Sequence, residues 1–184
     1  SKEDYFRMVS TDSYRLSIAN SKKIENSADF QSIIQSGFLS NIASLDKKEQ
    51  HISINLSENQ ILFKYGNGIY INRKIEGKYP NYNALIPDKF MTEAKIKTKH
   101  LYHAIKRVIL LDVDSDTKTK KVNLQFNPEE NNLTVFGTYK PGEAQEIIEA
   151  EINGENLQIC FNADYLKDGL SVIEEEEFVF KLQN

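Results

Sequence analysis

Apolar and polar positions alternate along "HISINLSENQILFKYGNGIYINRKIEG": Ile52, Ile54 and Leu56, then Ile61 and Phe63, then Ile69 and Ile71. A period of two is the signature of strands, and the breaks at "SENQ" and "GNG" predict a three-stranded meander with two tight turns. The design returns in "KKVNLQFNPEENNLTVFGTYKPGEAQEIIEAEING". Val122, Leu124 and Phe126 precede a polar turn at "NPEENN". Leu133 and Val135 lead to a break near Pro141 and Gly142, and a third strand through Ile147, Ile148 and Ile152 ends at Gly154.

Each meander is preceded by a helical pattern. "SADFQSIIQSGFLSNIASL" sets Phe30, Ile33, Ile34, Phe38, Ile42 and Leu45 at spacings of three and four, predicting a helix from Asp29 to Leu45 with Ser27 or Asp29 as N-cap. "TKHLYHAIKRVILL" does the same with Leu101, Ala104, Ile105, Val108 and Leu111, opened by Thr98. After the second meander, "ENLQICFNADYLKDGLSVI" reads as a short strand, Asn162 as N-cap, and a helix with Tyr165, Leu166, Leu170 and Ile173 on one face. The chain thus repeats a strand, helix, three-strand unit, with helix starts near 29, 98 and 162. That spacing is too long for a solenoid and suggests duplicated motifs packed as pseudo-symmetric domains, an α+β fold with helices on one face of antiparallel sheets.

The 184 residues are 40% hydrophobic and carry a net charge of -4, enough for a real core and without the bulk basicity of many nucleic-acid binders. No apolar run approaches the ~20 residues of a membrane span, and "SKEDYFRMVS" has no signal-peptide core. A single cysteine, Cys160 in "LQICFN", reads as a small buried hydrophobe and precludes an internal disulfide, which suits a cytoplasmic protein. The lack of an initiator Met and the end just after a strand-like run suggest a fragment.

Candidate chemistry is sparse. His100 and His103 share a helix with no carboxylate or cysteine at metal-ligand spacing, so no metal site or other cofactor is expected. "GNGIY" lacks a Lys-Ser or Lys-Thr pair and leads into a strand, unlike a phosphate loop. Glu174 to Glu177 reads as a solvated turn after a helix. The segment from Lys95 to Lys121 stands apart, with eight Lys or Arg against three Asp. Lys99, His103, Lys106 and Arg107 lie off the apolar stripe of its helix, a geometry suited to phosphates without reading bases. "STDSYRLSI" combines a turn signal at Thr11, Asp12 and Ser13 with Tyr14, Arg15 and Leu16, a fair start for a peptide-binding groove. "IEGKYPNYNALIP" spends two prolines on a stiff connector.

Those last two stretches resemble the bacterial DNA polymerase III beta subunit, or sliding clamp, family: "STDSYRLS" its Thr-Asp and Arg-Leu signature, "IEGKYPNYNALIP" its interdomain segment. "KPGEAQEIIEAEINGENLQICFNADYLKDGL" is similar to the family's third domain. The resemblance implies the DNA clamp fold, with residues 1–87 as the later part of the middle domain plus connector and 88–184 as the third domain without its tail. It implies a cytoplasmic, nucleoid-associated processivity factor without a catalytic site, forming a homodimeric ring around double-stranded DNA. Its partners would be the polymerase III alpha and clamp-loader subunits, bound by their peptides. The groove positions carried over are Thr11, Ser13, Tyr14, Arg15 and Leu16, with Pro80, Ala84 and Leu85 opposite. Ala84 stands where some members have Arg, and the last groove wall, from the C-terminal tail, falls outside this sequence. Lys99, His103, Lys106 and Arg107 would face DNA, the first helix offering no Lys or Arg before Lys47 and Lys48. Leu110 and Leu111 match the dimer contact. Two other readings of the residues stand beside it: a small hydrolase or transferase with Asp12 and Arg15 in its site, and a non-catalytic α+β scaffold whose meanders merely pack.

Overall fold

A computed structural model describes residues 5–22, 29–45, 51–112 and 119–183. The chain divides into two compact units, Ser1–Leu85 and Ile86–Asn184.

In the first unit, β1 (Tyr5–Thr11) and β2 (Leu16–Lys22) pair antiparallel as a hairpin, with Thr11 opposite Leu16. Helix α1 (Ser36–Ala43) then precedes the meander β3 (Ser53–Leu56), β4 (Gln60–Tyr65) and β5 (Gly68–Arg73). Ile42 from the helix meets Ile61 and Phe63 from β4, and Ile34, Phe38, Leu39, Leu45, Ile54, Leu56 and Tyr70 pack around them. The predicted helix from Asp29 is corrected: residues 29–35 are not helical, and Gln35 holds an extended conformation at the N-cap. The Ile33 carbonyl accepts from the Ile75 N–H at 2.9 Å, so this stretch lies beside the chain leaving β5. Phe30 turns to Phe6 of β1, with ring centroids 6.0 Å apart, and only the pattern from Ile34 to Leu45 belongs to the helix's packing. Ser27, Lys47 and Lys48 lie outside the described residues. On β5 it is Tyr70 that faces the core, leaving Ile69 and Ile71 exposed.

The second unit is one sheet of six strands with both helices packed on its apolar side. These are β6 (Thr92–Lys97), α2 (Thr98–Val108), β7 (Lys121–Asn127), β8 (Asn132–Tyr139), β9 (Gly142–Gly154), β10 (Leu157–Asn162), α3 (Ala163–Ser171) and β11 (Glu177–Leu182). The strand order is β10-β7-β8-β9-β6-β11. Long β9 serves two neighbours, pairing β8 through Glu149 and β6 from Ala150 onward. Alternation sends Ala94, Ile96, Val122, Leu124, Phe126, Leu133, Val135, Ile148 and Ile152 to one face, where Leu101, Ala104, Ile105 and Val108 of α2 cover them. Asn162 caps α3, its carboxamide oxygen accepting from the Asp164 and Tyr165 N–H groups. Thr98 opens α2 differently, donating its hydroxyl to the Glu175 carbonyl at 2.8 Å and its N–H to Glu176 at 2.9 Å. The acidic run is therefore a turn whose carbonyls anchor the helix start while its side chains stay exposed. Cys160 corrects its expected burial: Leu157, Ile159 and Phe161 take the core face of β10, which leaves the thiol exposed on the other.

Gly154 ends β9 at φ +120, where a Cβ would sit 2.0 Å from the Met91 carbonyl oxygen. Gly154→Ala is expected to destabilise the second unit through both strain and this collision. Phe126→Ala, at a site with no exposed surface and a ring packed on Phe180, is expected to cost about 3–5 kcal/mol in a denaturant melt.

Candidate functional site

The turn between β1 and β2 is organised by its own side chains. Asp12 accepts through Oδ1 from the N–H groups of Tyr14 (3.1 Å) and Arg15 (3.0 Å), and its Oδ2 meets the Arg15 Nε at 3.0 Å. Thr11 donates its hydroxyl to the Arg15 carbonyl at 2.8 Å and accepts from the Ser13 N–H at 3.2 Å. Ser13 occupies the left-handed region at φ 74, a conformation this ring of hydrogen bonds stabilises. Holding the loop shut leaves Tyr14 82% exposed, with Leu16 half-buried at the start of β2. The Tyr14 N–H is the main cause that holds the Asp12 carboxyl below its ordinary range; desolvation opposes it, and the Arg15 N–H and guanidinium add to it. A carboxylate so occupied is a poor proton acceptor, which weighs against a general-base role for Asp12.

The connector belongs to the same unit. It leaves β5 through Gly77 at φ 130 and ends in a 3-10 turn, Tyr82–Leu85. Pro80, Ala84 and Leu85 are all exposed, Leu85 by 69%. Two contacts tie this segment to the hairpin: the Tyr79 hydroxyl donates to the Val9 carbonyl at 3.1 Å, and Arg7 Nη1 donates to the Tyr82 hydroxyl at 3.3 Å. The connector is thereby tied to β1, the strand that leads into the turn at residues 11–16, some 70 residues away in sequence. Sequence reasoning missed Arg7 and gave Tyr79 and Tyr82 no role of their own, because nothing local marks a side chain whose partner lies on another element.

In the second unit, Lys99, His103, Lys106 and Arg107 are exposed on α2, opposite its buried stripe. Arg107 differs from the others. Its Nε and Nη2 grip both oxygens of Glu146 on β9 at 2.5 and 2.6 Å, and the contact lowers the Glu146 carboxyl while raising the guanidinium. Its charge is matched within the unit. His103 packs edge-on to Tyr102. Leu110, 67% exposed, and half-buried Leu111 lie in a 3-10 turn, Ile109–Leu111, after α2. Among the described residues no group of three His, Cys, Asp or Glu is placed to hold a metal ion, and no helix is long and apolar enough to cross a membrane.

The profile of the DNA polymerase III beta subunit central domain matches residues 1–81, and that of the C-terminal domain matches residues 83–184. The chain belongs to the DNA polymerase III beta subunit family. It is 28% identical over 190 residues to the beta sliding clamp of Synechococcus elongatus, covering 98% of this chain and 49% of that protein. Against the beta sliding clamp of Staphylococcus aureus the identity is 30% over 182 residues, covering 96% and 46%. The crystal structure of the DNA polymerase sliding clamp from Bacillus subtilis superimposes with a TM-score of 0.91 at 29% identity, covering all of this chain and 49% of that one. The chain thus spans about half the length of these relatives.

Because the Asp12 carboxyl is depressed, its contribution to loop order is complete above the unfolded value of about 3.9 and is lost as pH falls through the lower folded value. In an NMR pH titration, the Tyr14 and Arg15 amide resonances should therefore move at a pH below that of an ordinary aspartate.

Proposed function

We propose that this chain is part of a sliding clamp: a processivity factor without catalysis of its own, which in the full-length protein closes as a homodimeric ring around duplex DNA. Residues 1–87 then form the later part of the middle domain with its connector, and 88–184 the third domain. The polymerase III alpha and clamp-loader subunits bind through short peptides in a groove built from Thr11, Ser13, Tyr14, Arg15 and Leu16 on the hairpin and Pro80, Ala84 and Leu85 on the connector. The observation that supports the reading is the attachment of the connector, at Tyr79 and Tyr82, to the β1 strand that leads into the hairpin turn, within one unit of a chain whose whole length matches the family. Exposed Tyr14 and half-buried Leu16 on the hairpin and exposed Leu85 on the connector are the apolar side chains available as anchors of the kind peptide pockets use. Leu110 and Leu111 serve the ring interface. The protein works in the cytoplasm, at the nucleoid.

Lys99, His103 and Lys106 face the duplex, and their contacts are non-specific and salt-sensitive because a sliding ring must not grip. Arg107 contributes less than its charge suggests, since Glu146 already satisfies its guanidinium.

A fluorescent peptide carrying Gln followed by a Leu-Phe pair should bind the chain saturably by anisotropy. Leu16→Asp, which sets an unpaired charge on the groove floor, should abolish that binding; absence of binding to the folded parent chain contradicts the reading. For duplex DNA, Lys99→Gln and Lys106→Gln should each reduce the slope of log affinity against log salt by about 0.9, and Arg107→Gln by clearly less.

A further inference from the structure

We propose that Arg7, Tyr79 and Tyr82 are the positioning residues of the peptide groove, fixing the spacing between its hairpin wall and its connector wall. The inference rests on the groove reading above and extends it to residues that line neither stretch's predicted contact set. From Glu76 to Leu85 the connector's described backbone hydrogen bonds are local, Tyr82 N–H to the Pro80 carbonyl and Ala84 N–H to the Asn81 carbonyl. Neither attaches the segment to the rest of the unit. Gly77, at φ 130, gives the chain freedom just upstream. The attachment described is made by side chains: Tyr79, immediately before Pro80, reaches the Val9 carbonyl, and Tyr82, which opens the turn carrying Ala84 and Leu85, accepts from Arg7.

Arg7 is built to be a fixed donor. Its Nε donates to the Asn20 carboxamide oxygen at 2.8 Å, across the register pair that joins β1 to β2, and its guanidinium lies 4.5 Å from the centroid of the Tyr5 ring. The side chain is thus held from two directions before it meets Tyr82, and the hydroxyl it binds inherits the position of the hairpin. Tyr79 and Tyr82 are both half-buried, so their rings pack while their hydroxyls make the connection. Walls held at a set distance before a peptide arrives avoid the ordering cost that a loose connector would impose on binding.

The test measures peptide affinity and melting temperature together on the 184-residue chain. Tyr79→Phe and Tyr82→Phe keep the rings and remove only the hydroxyl bonds; each should weaken the Gln and Leu-Phe peptide by about 2- to 10-fold at unchanged melting temperature. Arg7→Met should weaken it similarly, and Arg7→Lys, which keeps a donor for Tyr82, should recover part of the loss. Arg7→Met and Tyr82→Phe break the same bond, so their effects should be less than additive in a double-mutant cycle. If Leu16→Asp abolishes binding while the three removals leave it unchanged, the positioning role is overturned and the groove stands. Losses of affinity that track a falling melting temperature, without rescue by Arg7→Lys, also overturn it. A folded parent chain that binds no peptide removes the groove and this inference together.

Discussion

One face of helix α2 governs the second unit. Leu101, Ala104 and Ile105 are fully buried and Val108 nearly so, lying on the sheet formed by β6 to β9, and this packing settles which way every other residue of the helix points. Lys99, His103 and Lys106 face outward because the apolar stripe has nowhere else to go. The sheet obeys the same constraint: strands alternate so that one side is apolar for the two helices, and Cys160, Ile147 and Val179 are left on the other. The outward basic face of α2 is a by-product of core packing, and Glu146 occupies one of its cations, Arg107.

The first unit solves a different problem, which is to make a defined surface from irregular chain. Its turn is ordered by Asp12 and Thr11, whose side chains replace hydrogen bonds that a ladder would supply. Its connector is ordered by Pro80, a 3-10 turn and two tyrosine hydroxyls. The Thr-Asp and Arg-Leu signature thus has a physical meaning: Asp12 and Arg15 are structural parts of the loop that presents Tyr14 and Leu16.

Long alternation was legible. The meanders, the two later helices and the Asn162 cap follow from spacing and local chemistry, since each depends on residues close in sequence. The start of α1 was not, because Phe30 and Ile33 continue its spacing by coincidence while packing and hydrogen bonding elsewhere. Cys160 misled because its neighbours Ile159 and Phe161 are apolar, and composition outweighed the alternation that decides which side each takes. At the candidate site, the two exposed segments could be picked out by their unusual residues. Their mutual support could not, as Arg7 and Tyr82 are 75 positions apart and Arg107 and Glu146 are 39. Pairings at that range are set by the fold and leave no local trace.

In the proposed function, the hairpin turn and the connector form one peptide-binding surface. The direct measurement is amide chemical-shift mapping on the isotopically labelled chain, titrated with the Gln and Leu-Phe peptide. Saturable shifts concentrated at residues 11–16 and 79–85, with residues 99–107 unmoved, are expected if both segments form that surface. Saturable binding whose shifts fall elsewhere, or reach only one of the two segments, would contradict it.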